Sequence, residues 1–396
     1  MSMTLMNWNQ RISAALQQRK QQHLWRSHAC IDGPQGVHLQ RDGRPMLNFC
    51  ANDYLGLAGR HQALQSAAAI WGLGSGASHL VCGHSVAHQQ LEEALARHTG
   101  YEKALLFSTG YMANMGTIAA LVKRGDEIFQ DRLNHASLLD GGILSRARMT
   151  RYHHNNTQQL AELLQNPAHG HRLIVSDGVF SMDGDTADLA RLSALATEHD
   201  ALLMIDDAHG FGVLGEQHNN QGQGIRAAAS LSARQLPVYI GTLGKALGGF
   251  GAFVAGSADL IDYLVQFARP YIYTTALPPA VAEAMLDNLH LLSNGQLQQQ
   301  LTNNIHVFRQ LASAAQLPLT DSVTPIQPLI IGDNQATLRC SQALADAGLW
   351  VGAIRPPTVA NGSARLRITL SAAHSEDDIR QLVDTLVRHW PAKETV

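Results

Sequence analysis

Two stretches, Ala201-Leu-Leu-Met-Ile-Asp206-Asp207-Ala-His209-Gly and Val238-Tyr-Ile-Gly-Thr242-Leu-Gly-Lys245-Ala-Leu-Gly-Gly-Phe-Gly, share one form. In each, a short run of consecutive apolar residues ends abruptly on polar residues and glycine. Such a run fits a strand buried on both faces. The form recurs at Ala104-Leu-Leu-Phe, Glu127-Ile-Phe, Leu173-Ile-Val and Gly251-Ala-Phe-Val-Ala. Between these runs lie segments of helical period, such as 189–198 with apolar Leu189, Leu192, Leu195 and Ala196. The expected class is therefore α/β, with a mostly parallel sheet flanked by helices in a large domain over 51–290. Residues 1–50 read as an N-terminal helix, from Trp8 through Ile12, Ala15 and Leu16, followed by short strands near 37–39 and 46–49. Beyond Pro278-Pro279 the pattern changes to one long helical stretch over 280–315. Strand-like runs follow at 326–331, 350–354 and 365–370, with helices at 336–347 and 375–387. These make a smaller C-terminal α+β domain over 291–396.

Composition narrows the function. The 396 residues are 45% hydrophobic and 15% charged, enough for a substantial core and unlike a disordered chain. With 29 basic against 32 acidic residues the net charge is −3, which offers no footprint for nucleic acid. No apolar run is long enough to span a membrane, and the opening residues lack the basic and apolar blocks of a secretory leader. Cys30, Cys50, Cys82 and Cys340 are scattered and form no CxxC pair, which points to a reducing, cytoplasmic setting without a disulfide framework or a zinc knuckle.

Ligands of open α/β sheets sit beyond the carboxyl ends of the strands, so the polar residues after each apolar run are the candidates. Lys245 is one of five lysines and stands among glycines and apolar residues with no neighbouring acid. A buried amine relieves its desolvation by losing charge, and so becomes a nucleophile; an exposed lysine in a glycine loop is the alternative. Asp206 closes a wholly apolar run, where an unpaired charge is costly. It reads either as a helix cap or ion pair, or as the partner of a bound cation. A metal would need more ligands than Asp206, Asp207 and His209 supply, and none is expected. A protonated pyridine about 4 Å away would gain about 4 kcal/mol from the carboxylate at an effective dielectric of 20. A nucleophilic lysine, an acid for a ring nitrogen and a helix-opening segment, Ser108-Thr-Gly110-Tyr111-Met-Ala-Asn114, for an anion together imply pyridoxal phosphate. Thr242 is a second candidate for the phosphate. His135, in Asn134-His135-Ala-Ser137, also lies just past a strand-like run. Gly72-Leu-Gly74-Ser-Gly-Ala77 loosely fits a dinucleotide fingerprint, but 62–71 reads as helix where that motif needs a strand.

Asn52-Asp-Tyr-Leu-Gly56, Asp206-Asp-Ala-His-Gly210, Thr242-Leu-Gly-Lys245 and Tyr273-Thr-Thr-Ala-Leu-Pro-Pro279 resemble the α-oxoamine synthases, which are fold-type I pyridoxal phosphate transferases. The resemblance covers nearly the whole chain. The text Ala353-Ile-Arg-Pro-Pro-Thr358 and Ala364-Arg-Leu-Arg367-Ile-Thr is most similar to the branch that serves biotin synthesis. That similarity implies decarboxylative condensation of L-alanine with a pimeloyl thioester on coenzyme A or acyl carrier protein (ACP). It implies that Lys245 carries the cofactor, Asp206 faces the pyridine nitrogen, His209 the ring hydroxyl, and His135 stacks on the ring. Ser181, Thr242, Gly110 and Tyr111 would also touch the cofactor. Arg26, Asn52, His135 and Thr358 fall at substrate positions, and Arg367 at the amino-acid carboxylate. The family is homodimeric with interfacial sites, so Thr274 or Thr275 would reach the partner's phosphate. Glycine C-acetyltransferase and 5-aminolevulinate synthase are the nearest alternatives. Departures from the family text occur at Ala77, His79, Asp177 and Ala360.

Overall fold

A computed structural model describes residues 7–22 and 24–391. Lys393 and the opening hexapeptide lie outside the described residues. The central sheet has seven strands in the spatial order Lys103–Phe107, Ala252–Gly256, Val238–Thr242, Ala201–Asp206, Arg172–Asp177, Glu127–Asp131 and Arg148–Tyr152. Ala252–Gly256 runs antiparallel to both its neighbours, and the remaining pairings are parallel.

Why the runs are apolar at every position is plain from their packing. Leu105, Phe107, Leu173, Val175, Met204, Val238, Ile240 and Val254 pack on one face. Their alternates Leu106, Ile174, Leu203, Ile205, Tyr239, Phe253 and Ala255 pack on the other. Side chains alternate across a strand, so a sheet covered on both faces needs apolar residues throughout. Each fully buried side chain of this size contributes roughly 2 kcal/mol.

The N-terminal strands and the C-terminal part meet directly. A four-stranded sheet orders Ile31–Asp32, His38–Arg41, Arg44–Asn48 and Leu349–Trp350, the last pair parallel. A three-stranded antiparallel sheet joins Ile326–Gly332, Ala364–Thr369 and Gly352–Ile354. Leu366, Ile368, Ile379 and Leu382 belong to the same core as Leu106 and Phe253, so packing is continuous from the large sheet into the C-terminal part.

Three local expectations change. The stretch expected as one helix over 280–315 is two, Pro279–His290 and Gln296–Ala314, separated at Gly295, whose φ of 68° leaves the helical region. The run at 350–354 splits between two sheets at Val351. Arg148–Tyr152, absent from the expected strand-like runs, is the seventh strand. It is an edge strand, so its outward arginines hide the apolar signal.

The loop that carries His135 is tied down beside that edge. Asp131 accepts from Leu133 N at 2.8 Å and Asn155 N at 2.7 Å, and Asn134 Oδ1 accepts from Asp177 N at 3.0 Å. His154 lies between Asp131 (3.1 Å) and Asp185 (2.8 Å). Burial disfavours its charge, but the hydrogen bonds to the two carboxylates win and carry it up to about 10. A folded value above the ordinary 6.5 gives stability that is fully present below pH 6.5 and is lost as pH climbs through 10. Replacing His154 with Gln should therefore lower unfolding free energy by roughly 1–3 kcal/mol at pH 6. In urea unfolding at a series of pH values, the gap from wild type should narrow between pH 7 and 10; a widening gap contradicts a charged ring.

Candidate active site

Strands Arg172–Asp177, Ala201–Asp206 and Val238–Thr242 end together, with Asp177 opposite Asp206 and Asp206 opposite Ile240. Beyond Thr242 the chain turns through a glycine loop. Gly248 has a φ of 69°, and a Cβ there would lie 2.4 Å from the Ala58 nitrogen, so only glycine lets the loop settle against 57–58. Within this loop, Thr242 Oγ1 accepts from Gly244 N at 3.2 Å and donates to the Gly251 carbonyl at 3.1 Å. Lys245 thereby faces a cavity of about 190 Å³ lined also by Gly110, Tyr111, Asn114, His135, Ser137, Asp177, Ser181, Asp206, Ala208, His209 and Thr242. Burial lowers the Lys245 amine to about 8, although Asp206 and Asp177 favour its charge.

One wall is a hydrogen-bonded chain. Asp206 accepts from Asn114 Nδ2 at 2.6 Å and from Ala208 N at 2.9 Å. Asn114 Nδ2 also donates to Ser137 Oγ at 2.8 Å, and Ser137 Oγ lies 2.7 Å from His135 Nδ1. His135 caps the helix Ala136–Ser145, and its own N–H donates to Asp177 at 2.7 Å. Burial, with the adjacent Asp206 charge, drives the Asp177 carboxyl well above its ordinary value. Burial also lowers His135, against the pull of Asp206.

The other wall joins distant parts of the chain. His209 Nδ1 lies 2.6 Å from the Tyr54 hydroxyl, which is also 3.2 Å from Asn52 Oδ1. Arg367 donates to Asn52 Oδ1 at 3.2 Å and to the Ser181 carbonyl at 2.6 Å. Burial drives His209 well below its ordinary value, and Lys245 and Arg367 push the same way, so the ring is neutral.

Of the residues expected from the sequence, Lys245, Asp206, His209, His135, Thr242, Ser181, Gly110 and Tyr111 line this one cavity, and Asn52 and Arg367 adjoin it through Ser181. Arg26 and Thr358 instead line a separate cavity of about 210 Å³ with Trp25 and Ile354. Thr274 and Thr275 do not line either cavity; the Thr275 carbonyl accepts from Ser108 Oγ at 3.5 Å. Asp207 turns away and accepts from Ile225 N and the Tyr239 hydroxyl, both at 2.7 Å. Among the described residues no cluster is suited to a metal. Asn114, Ser137 and Tyr54 are site residues that sequence reasoning passed over. All three stood inside motifs already singled out, but only the fold reveals whom they bond.

The cavity suits the cofactor expected from the sequence. It pairs a nucleophilic amine with a carboxylate at the sheet edge, and it opens on the first turn of the helix Gly110–Leu121, whose amides have no intrahelical acceptor. A Cβ at Gly110 would meet nothing within 4 Å, and Asn114 Oδ1 is buried without a partner. An amine-acylating probe should accordingly modify Lys245 with a rate midpoint near pH 8, whereas an unperturbed lysine titrates near 10.5. Mass-spectrometric labelling across pH 6–11 reads this; a midpoint above 10 contradicts the buried amine.

Comparison with known proteins places the chain in a family. The family model for aminotransferase class I and II matches residues 44–386. An 8-amino-7-oxononanoate synthase of Pseudomonas putida (strain GB-1) is 54% identical over 387 residues, 97% of this chain and 98% of that protein. Serine palmitoyltransferase of S. paucimobilis, solved with a bound PLP-myriocin aldimine, superposes with a TM-score of 0.89 at 27% identity, over 98% of both chains. The structure of 8-amino-7-oxononanoate synthase from Francisella tularensis gives 0.75 at 32% identity, over 87% of this chain and 97% of that one. With a relative of this identity along its whole length and the site assembled at the expected strand tips, the chain belongs to the 8-amino-7-oxononanoate synthase family, within the class I and II aminotransferases.

Proposed function

We propose that the protein condenses L-alanine with a pimeloyl thioester, releasing CO2, 8-amino-7-oxononanoate and the free thiol of coenzyme A or ACP, as a cytoplasmic homodimer serving biotin synthesis. The observation that carries this reading is the convergence of Lys245, Asp206, His209 and His135 on one cavity in a chain of this family. The enzyme uses pyridoxal 5'-phosphate, which when bound supplies an electron sink for the carbanion at the amino-acid Cα.

The chain's own residues do the rest. Asp206, held at both oxygens by Asn114 and Ala208, would present its carboxylate to the pyridine nitrogen. Neutral His209 would meet the ring hydroxyl, and His135 would cover one ring face. Thr242, Ser181 and the free amides of Gly110 and Tyr111 hold the polar periphery. Lys245, with its amine lowered to about 8, would anchor the cofactor and would take and return the proton at the alanine Cα. Arg367, braced by Asn52 and the Ser181 carbonyl, takes the alanine carboxylate. Arg26 and Thr358, sharing a cavity of their own, hold the acyl substrate. Thr274 and Thr275, outside this chain's own cavity, serve the phosphate of the second subunit. We assign 51–290 to the cofactor unit, 1–50 to the N-terminal part and 291–396 to the C-terminal α+β domain.

Purified protein should turn over alanine with a pimeloyl thioester. Efficient turnover of glycine with acetyl- or succinyl-CoA instead would assign it to a different α-oxoamine synthase. Arg367→Lys should raise the KM for alanine roughly tenfold or more, because a lysine cannot grip a carboxylate with two parallel hydrogen bonds. An unchanged KM contradicts the role of Arg367.

A further inference from the structure

We propose that Asn114 is a positioning residue that couples the acid at the ring nitrogen to the histidine on the ring face: it orients the Asp206 carboxylate and, through Ser137, sets the His135 tautomer with its proton on Nε2. The proposal deepens the functional reading above and rests on Asp206 and His135 both facing the cofactor.

The argument is one of donors and acceptors. An ionised carboxylate only accepts, so the group on Asn114 that approaches Asp206 Oδ2 at 2.6 Å is the amide nitrogen, and the side chain cannot be flipped. That nitrogen has two hydrogens. The second goes to Ser137 Oγ at 2.8 Å, which makes the hydroxyl an acceptor there and leaves its own hydrogen free. Ser137 Oγ lies 2.7 Å from His135 Nδ1, and the Ser137 backbone N–H points at the same nitrogen at 3.4 Å. Two donors thus converge on Nδ1. A neutral imidazole carries one proton, so with Nδ1 accepting, that proton sits on Nε2.

Burial makes the chain strict. Asn114 is 1% exposed and Ser137 is fully buried, so no water competes for these bonds. Asn114 Oδ1 is itself buried without a partner, a cost tolerated while both amide hydrogens are engaged. The consequence is chemical. His135 presents an N–H donor rather than a lone pair, suited to an oxyanion or carboxylate of the substrate and unsuited to removing a proton. That leaves Lys245 as the base of the site.

The test is nitrogen NMR of histidine-labelled holoenzyme, with His135→Gln assigning the ring resonances. The expected result is a pyridine-type Nδ1 and a protonated Nε2 in wild type. In Ser137→Ala and Asn114→Ala both ring nitrogens should shift toward averaged values as the second tautomer is populated. In Asn114→Ala, but not Ser137→Ala, the pH midpoint of the bound cofactor's visible absorbance should also move, because only Asn114 touches Asp206. kcat in Asn114→Ala should fall roughly tenfold with little change in KM for alanine. A protonated Nδ1 in wild type, or an unchanged tautomer in both variants, overturns the proposal. A change in Ser137→Ala alone removes Asn114 from the relay. Should Asn114→Ala fail to fold, the wild-type tautomer and Ser137→Ala still decide. Wild-type protein that takes up no cofactor refutes the functional reading, while the tautomer measured on the apoprotein still judges the relay.

Discussion

Two carboxylates, Asp177 and Asp206, end adjacent parallel strands in register, and an amine in a glycine loop faces the same cavity. Placing like charges side by side in a buried setting is expensive, and much of the surrounding architecture answers that cost. Asp206 accepts one hydrogen bond at each oxygen, from Asn114 and Ala208, which leaves it lone pairs for a further partner. Asp177 receives the His135 amide and is driven toward its neutral form by burial and by its neighbour. Lys245 sits between the pull of these acids and the push of burial, and its amine settles near neutrality. A group that changes charge near physiological pH is suited both to forming a covalent link and to moving a proton.

The fold supplies this arrangement from remote segments. Asn52 comes from the stretch before the large sheet, and Arg367 from a strand of the C-terminal part, yet they meet each other and the Ser181 loop. The parallel pairing of Arg44–Asn48 with Leu349–Trp350 draws those two parts together. The packing between N- and C-terminal parts is therefore a condition for the arginine to reach the site.

Much of this was legible before any coordinates. Buried strands announce themselves by unbroken apolar runs, and their terminal acids and hydroxyls mark the sheet edge, which is why Asp206, Thr242 and Lys245 could be singled out. The edge strand Arg148–Tyr152 escaped because solvent on one side permits arginine and threonine. The break at Gly295 escaped because flanking leucines and glutamines keep a helical period across it. Asn114, Ser137 and Tyr54 escaped for another reason. Their importance lies in a hydrogen-bond partner on a different element, and no spacing along the chain encodes that.

The central claim is that Lys245 is the amine that carries the cofactor opposite Asp206. Borohydride reduction of the cofactor-loaded protein, followed by proteolysis and peptide sequencing, tests it directly. The account predicts a single pyridoxyl tag on Lys245; a tag on Lys20, Lys103, Lys123 or Lys393 in its place would contradict it.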